Sequence, residues 1–232
     1  MADCALELSF DERSATAVED QWRALRFLGL PSQLDHRGMT NAPHLSLVVA
    51  SAIPDDVVAR AREFFAAALP IRLDVRGLIA FGAGSRVTLA HLAEPPRAVV
   101  DEVTALRQAS PLVRHPVWTP HVTLGRRIPR DRLGEAMAAV DARGGEPAPD
   151  VLVADRLRWW DPATATIDVL ARADVAPGPT EPPRHPSEPP ASPGNASSST
   201  RFRAMIRCFR SAVDGCSSHG SARESRVHEV RA

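Results

Sequence analysis

The chain has 232 residues and 44% hydrophobic content, which allows one large domain, or one domain plus a tail, with a true core. All 28 basic residues are arginine against 28 acidic ones, and residues 1–175 hold 20 Arg against 23 Asp plus Glu. A slightly acidic body argues against a protein that grips long nucleic acid chiefly through phosphate electrostatics, but leaves room for a pocket that takes one phosphate.

Residues 5–10 alternate apolar and polar as a strand does. Asp11 is placed to cap a helix reaching about Leu28, with Val18, Trp22, Leu25 and Leu28 near helical spacing. Pro43-His44-Leu45-Ser46-Leu47 opens the next strand. Leu45 and Leu47 face one way and His44 and Ser46 the other, so this strand is apolar behind and polar in front. Pro54-Asp55-Asp56 starts a second helix, whose apolar face includes Val57, Ala61, Phe64 and Phe65 and which ends before Pro70. Three short strands are predicted over 71–76, 78–81 and 86–91, separated by Gly77 and by Gly82-Ala83-Gly84-Ser85. A helix over about 96–108, a strand over 119–126, a helix over about 130–142 and two strands over 151–160 and 165–171 complete the series. Strand, helix, strand, helix in each half, with short antiparallel strands between, predicts an α+β fold with two similar lobes.

The composition changes after Val175. Residues 176–200 are mostly Pro, Ser, Gly and Glu, which bury too little apolar surface to offset their chain entropy. Residues 1–175 are therefore read as the domain and 176–232 as a largely disordered tail. Within that tail Phe202, Met205, Ile206, Phe209 and Val213 fall at helical spacing among arginines. Cys4, Cys208 and Cys216 form neither a disulfide framework nor a zinc-ligand pattern. The start of the chain lacks a basic region followed by an apolar run, and no apolar stretch approaches membrane-spanning length, so a cytoplasmic location without membrane contact is expected.

Pro120-His121-Val122-Thr123-Leu124 repeats the pattern of the first motif 77 residues later. One strand histidine beside a hydroxyl is usually a half-buried residue bonded to backbone, whereas a repeated setting points to duplicated structure. Each copy offers one imidazole and one hydroxyl. Two imidazoles can act as base and acid on opposite sides of a phosphorus. The Ser46 and Thr123 hydroxyls can hold its non-bridging oxygens. That chemistry requires no metal or other cofactor, and spacing alone supports no more than phosphoryl transfer between two histidines. Arg127 would share the cleft-facing side with His121 and Thr123 if the strand stays regular, where it could pair with phosphate. Trp118 is a candidate to stack on a base, although a Trp in such a place is more often core. His36, His91 and His115 lack the motif and read as surface or structural.

On these residues the chain resembles the two-histidine (2H) phosphoesterases, in particular the 2'-5' RNA ligase-like or RNA 2',3'-cyclic phosphodiesterase branch. Gln21-Trp22-Arg23-Ala24-Leu25, Gly29-Leu30-Pro31-Ser32 and Trp118, two residues before Pro120, add to the likeness, which covers about residues 4–175. Ser46 stands where Thr is commoner, keeping the hydroxyl but losing β-branch stiffness. The resemblance implies two pseudo-symmetric lobes, with antiparallel sheets facing a central cleft, helices outside and one motif on each wall. It also implies an RNA end or nucleotide with a cyclic phosphate as partner, and a monomer. Hydrolase and ligase stay open, as does which histidine is base. The alternatives are a catalytically silent module that binds a nucleotide or RNA end, and a protein whose tail drives interaction.

Overall fold

The computed structural model describes residues 3–36, 41–143, 146–162 and 164–174. The expected tail lies outside them. In chain order the elements are β1 (Cys4–Phe10), α1 (Glu12–Phe27), β2 (His44–Ala50), α2 (Asp55–Ala68), β3 (Ile71–Phe81) and β4 (Arg86–Glu94). There follow α3 (Arg97–Ala109), β5 (His121–Pro129), α4 (Leu133–Asp141), the two-residue pair β6 (Ala142–Arg143) and β7 (Glu146–Pro147), β8 (Val151–Asp161) and β9 (Thr166–Arg172).

Local chemistry explains most boundaries. The Asp11 carboxylate accepts the Ser14 N–H at 2.8 Å and starts α1 as an N-cap. Gly29, at φ 65, ends it: its N–H reaches the Arg26 carbonyl and that of Leu30 reaches Leu25, satisfying the last open carbonyls. Pro54 and Pro96 precede α2 and α3 in extended backbone.

One expectation is corrected. Residues 71–81 are one 11-residue strand rather than two, because Gly77 bends the chain without stopping it. At φ 128 it sits where the β3–β4 register shifts between Val75 and Gly77, a bulge that only glycine fills cheaply. The fourth helix also begins later, at Leu133, after a 3-10 turn over Arg130–Arg132.

Every strand pairing is antiparallel, and the order β8-β1-β2-β5-β4-β3 is palindromic in kind. The two motif strands lie at its centre, each is followed outward by one seven- or nine-residue strand, and the two 11-residue strands β8 and β3 lie outside. The outer two also pair with each other through Ile71–Asp74 and Val151–Ala154, so the halves meet at both ends. At the centre they touch through a single pair, Leu45 opposite Val122.

The apolar face of this array carries Leu6, Leu8, Leu45, Leu47, Val122 and Leu124, all at 0% exposure. Helices cover it with Trp22 and Leu25 of α1, Val57 and Phe65 of α2, Val103 and Leu106 of α3, and Val140 of α4. Burial of this set drives folding, at roughly 1.5–3 kcal/mol for each large side chain fully removed from water. The α+β expectation therefore holds, with helices behind and a polar face in front.

His91 lies on the apolar side, 1% exposed, with Nε2 2.8 Å from Oε1 of the fully buried Gln21. Gln21 in turn donates to the Val140 carbonyl at 3.0 Å. Burial pushes His91 down to about 4, so it is a neutral core residue tying α1 to β4. No described helix is long and apolar enough to cross a membrane.

Candidate active site

The four motif side chains gather on the polar face, around the one point where β2 and β5 pair. Leu45 and Val122 are the one β2–β5 pair, and His44 and Ser46 flank it on β2 as His121 and Thr123 flank it on β5. All four are half-buried. The two chemical pairs expected from the repeat are thus brought together, one from each half.

The proline of each motif has a local task. The ring Nδ1 of His44 lies 2.8 Å from the Ala42 carbonyl, and Nδ1 of His121 lies 2.7 Å from the Thr119 carbonyl. In both cases the acceptor is two residues back, across a proline that restricts its predecessor to extended backbone. A carbonyl only accepts, so each Nδ1 carries the proton. The other nitrogen, Nε2, is left to work on a ligand.

Two tryptophans hold the motif backbones in a crossed arrangement. Trp118, just before the second motif, donates its indole N–H to the Ser46 carbonyl of the first at 3.0 Å. Trp22, in the first half, donates to the Thr123 carbonyl of the second at 3.0 Å. Trp118 is partly buried and packs against the core, so its indole nitrogen serves the scaffold.

Desolvation, first, holds His121 below the usual imidazole value. The bond to Thr119 works against this, while positive charge on His44, Arg126 and His115 adds to it. The Phe81 ring lies 4.7 Å from the His121 ring, centroid to centroid, at 53°. His44 has different company: its Nε2 is 3.5 Å from Oε1 of Glu7, whose other oxygen accepts from Arg158 at 3.0 Å. Glu7 and Arg158 are 9% and 8% exposed, so this is a buried ion pair beside the first histidine.

Arg127 lies where β5 is not regular. The β4–β5 register shifts on both sides of Leu89, and Arg127 sits at φ 62, exposed, within that irregular stretch. Alternation therefore does not carry from His121 to Arg127. Its neighbour Arg126 is the arginine whose charge reaches His121. Gly125 permits the segment after α1 to approach β5 closely: a Cβ there would lie 2.5 Å from the Pro31 carbonyl oxygen. His36 and His115 are exposed, and the charge of His115 reaches His121.

Glu7, Ser9, Phe81, Arg126 and Arg158 were not singled out from sequence. Alternation in β1 puts Glu7 and Ser9 on its polar side, a signal that was present. Nothing local marks Phe81 or Arg158, whose partners lie 40 and 151 residues away. Among the described residues no group of three or more His, Cys, Asp and Glu side chains is placed to hold a metal ion. A surface depression of about 1050 Å³ between the start of α1, β3 and β8, lined by Asp11, Arg13, Arg72 and Asp150, contains neither motif.

Among solved structures, Usb1 of Kluyveromyces marxianus with uridine monophosphate superposes with a TM-score of 0.47 at 16% identity, covering 73% of this chain and 98% of that one. E. coli LigT complexed with ATP gives 0.39 at 16% identity, covering 72% and 92%. No curated protein sequence matches the chain. The sequence model of the 2'-5' RNA ligase superfamily matches residues 14–173, a span that holds both motifs, and the chain is a member of that superfamily.

Proposed function

We propose that this protein opens 2',3'-cyclic phosphate ends of RNA or nucleotides by two-histidine acid/base catalysis, passing the phosphoryl group to water or, as a ligase, to a 5'-hydroxyl. The observation that carries this reading is the crossed set of two imidazoles and two hydroxyls around the Leu45–Val122 pair. A cyclic phosphate bears one negative charge and a strained ring, and two hydroxyl donors plus an imidazolium are matched to it.

Neutral His121, with its proton on Nδ1 and a free Nε2, deprotonates the entering oxygen. His44, with the Glu7 carboxylate beside its Nε2, donates a proton to the leaving ribose oxygen. One P–O bond forms as the other breaks, and the proton taken at one histidine is replaced by the one given at the other. Ser46 and Thr123 donate to the non-bridging oxygens and fix phosphorus between the rings.

The test is incubation with an oligonucleotide ending in a 2',3'-cyclic phosphate, in EDTA, with and without a 5'-hydroxyl acceptor. Ring opening in EDTA that is lost in both His44→Ala and His121→Ala is expected. Turnover that survives in both variants, or that EDTA abolishes, overturns the metal-free two-histidine reading.

A second reading, a binding module without turnover, draws on the buried Glu7–Arg158 pair, which places a carboxylate close to where an anion would sit. It predicts binding that is lost in Ser46→Ala and Thr123→Ala with no product formed by the wild type.

A further inference from the structure

The polar face does not end at the histidines. Register carries it across two more strands in two rungs. In one, Arg156 stands opposite Ser9 and Ser9 opposite His44; in the other, Arg158 stands opposite Glu7 and Glu7 opposite Ser46. Ser9, Arg156 and Arg158 therefore share the face of the catalytic set, one and two strands away from β2.

These side chains hold buried polar atoms with no partner. Ser9 Oγ, Arg156 Nε and Arg158 Nε are all buried without a hydrogen bond, and Ser9 and Arg158 are 4% and 8% exposed. Among the described residues each guanidinium is tied by one terminal nitrogen: Arg156 to Asp155 at 2.9 Å and Arg158 to Glu7 at 3.0 Å. An arginine has five N–H donors, and native proteins rarely leave buried donors idle. Two arginines and a serine with unspent donors on one face make a site for an oxyanion, and the two carboxylates keep its empty state from being strongly cationic.

We propose that Ser9, Arg156 and Arg158 form a second anion subsite, which takes a further phosphate on the 5' side of the nucleotide whose cyclic phosphate lies between His44 and His121. This rests on the reading of the site given above. Strands lie about 4.8 Å apart, so the β8 backbone is about 12 Å from the midline between β2 and β5. One sugar and an arginine side chain together cross that gap. The substrate class becomes an oligonucleotide end or a 5'-phosphorylated nucleotide, in preference to a nucleoside cyclic phosphate alone.

The experiment is calorimetric binding to the full chain, which needs no turnover. Adenosine with one phosphate, at the 2' or the 3' position, is compared with the same compounds carrying a second phosphate at the 5' position. A dinucleotide with a phosphodiester there forms a third arm, separating an RNA end from a free phosphomonoester. The wild type is expected to bind the doubly phosphorylated ligands at least tenfold tighter. In Ser9→Ala and Arg156→Gln that preference should fall below threefold, with affinity for the singly phosphorylated ligands unchanged. Ser9→Ala removes a hydroxyl that bonds nothing in the fold, so a folding defect is not in play.

Equal affinity for both ligand sets in the wild type, no binding of either, or a preference that persists in both variants overturns the subsite. Failure of the catalytic reading looks different: no ring opening by the wild type, with the binding preference intact.

Discussion

The indole nitrogen of Trp22 donates to the carbonyl of Thr123 across 101 residues of sequence, at 3.0 Å. Trp118 does the same to Ser46 in the opposite sense. Because β2 and β5 share one backbone pair, these side chains do what further ladder bonds would otherwise do, fixing how each motif strand presents its histidine and hydroxyl.

Trp22→Phe keeps the apolar bulk and removes that bond. A stability loss of about 1 kcal/mol in urea unfolding is expected, with a larger effect on kcat/KM for a cyclic phosphate, roughly ten- to a hundredfold. Trp118→Phe should behave alike. A variant that loses stability but keeps full activity would show the indoles to be packing alone.

The pH dependence follows from His121. As the base it must be unprotonated, and burial lowers its value, so activity should persist to more acidic pH than an ordinary imidazole allows. The acidic limb of kcat/KM is expected below about 6.5, and His121→Ala should remove that limb while costing roughly 10²–10⁴ in rate. A limb at or above the ordinary value would reverse the assignment of base and acid.

His91 predicts a separate effect, on stability. Its folded value of about 4 lies below that of an unfolded histidine, so between the two the unfolded chain binds the extra proton. Stability should be fully present above about 6.5 and fall as pH drops towards 4, by roughly 3 kcal/mol, then change no further from this source. Urea midpoints across that range check it, and His91→Gln should flatten the slope.

The Glu7–Arg158 pair is nearly buried, and each partner is costly without the other. Glu7→Leu alone should destabilise by about 3–5 kcal/mol, whereas Glu7→Leu with Arg158→Leu should recover much of that. Thermal unfolding of the two forms decides the matter; equal losses would mean the pair contributes only packing.

How much was legible in the sequence depended on range. The strands, the α1 cap at Asp11 and the facing of His44, Ser46, His121 and Thr123 follow from period-two alternation and capping rules, which act over a few residues. The continuity of β3 through Gly77 and the irregular course of β5 near Arg127 are not legible locally, because a bulge changes the count along one strand only, and that depends on the partner strand. The ion pair beside His44 was out of reach for another reason. Glu7 and Arg158 meet only because β1 and β8 pair, a contact between the two ends of the domain that no local pattern announces.

That last pairing reaches beyond the site. With β8 joined to both β1 and β3, six strands form a closed circuit, and β9 alone hangs from it, hydrogen-bonded on one side to β8. Among the described strands β9 thus offers a full-length open edge, and its Asp168 and Arg172 put charge along that margin, which discourages an incoming chain from adding there. This edge lies apart from both motif strands, so the device that blunts self-association is separate from the residues of the site.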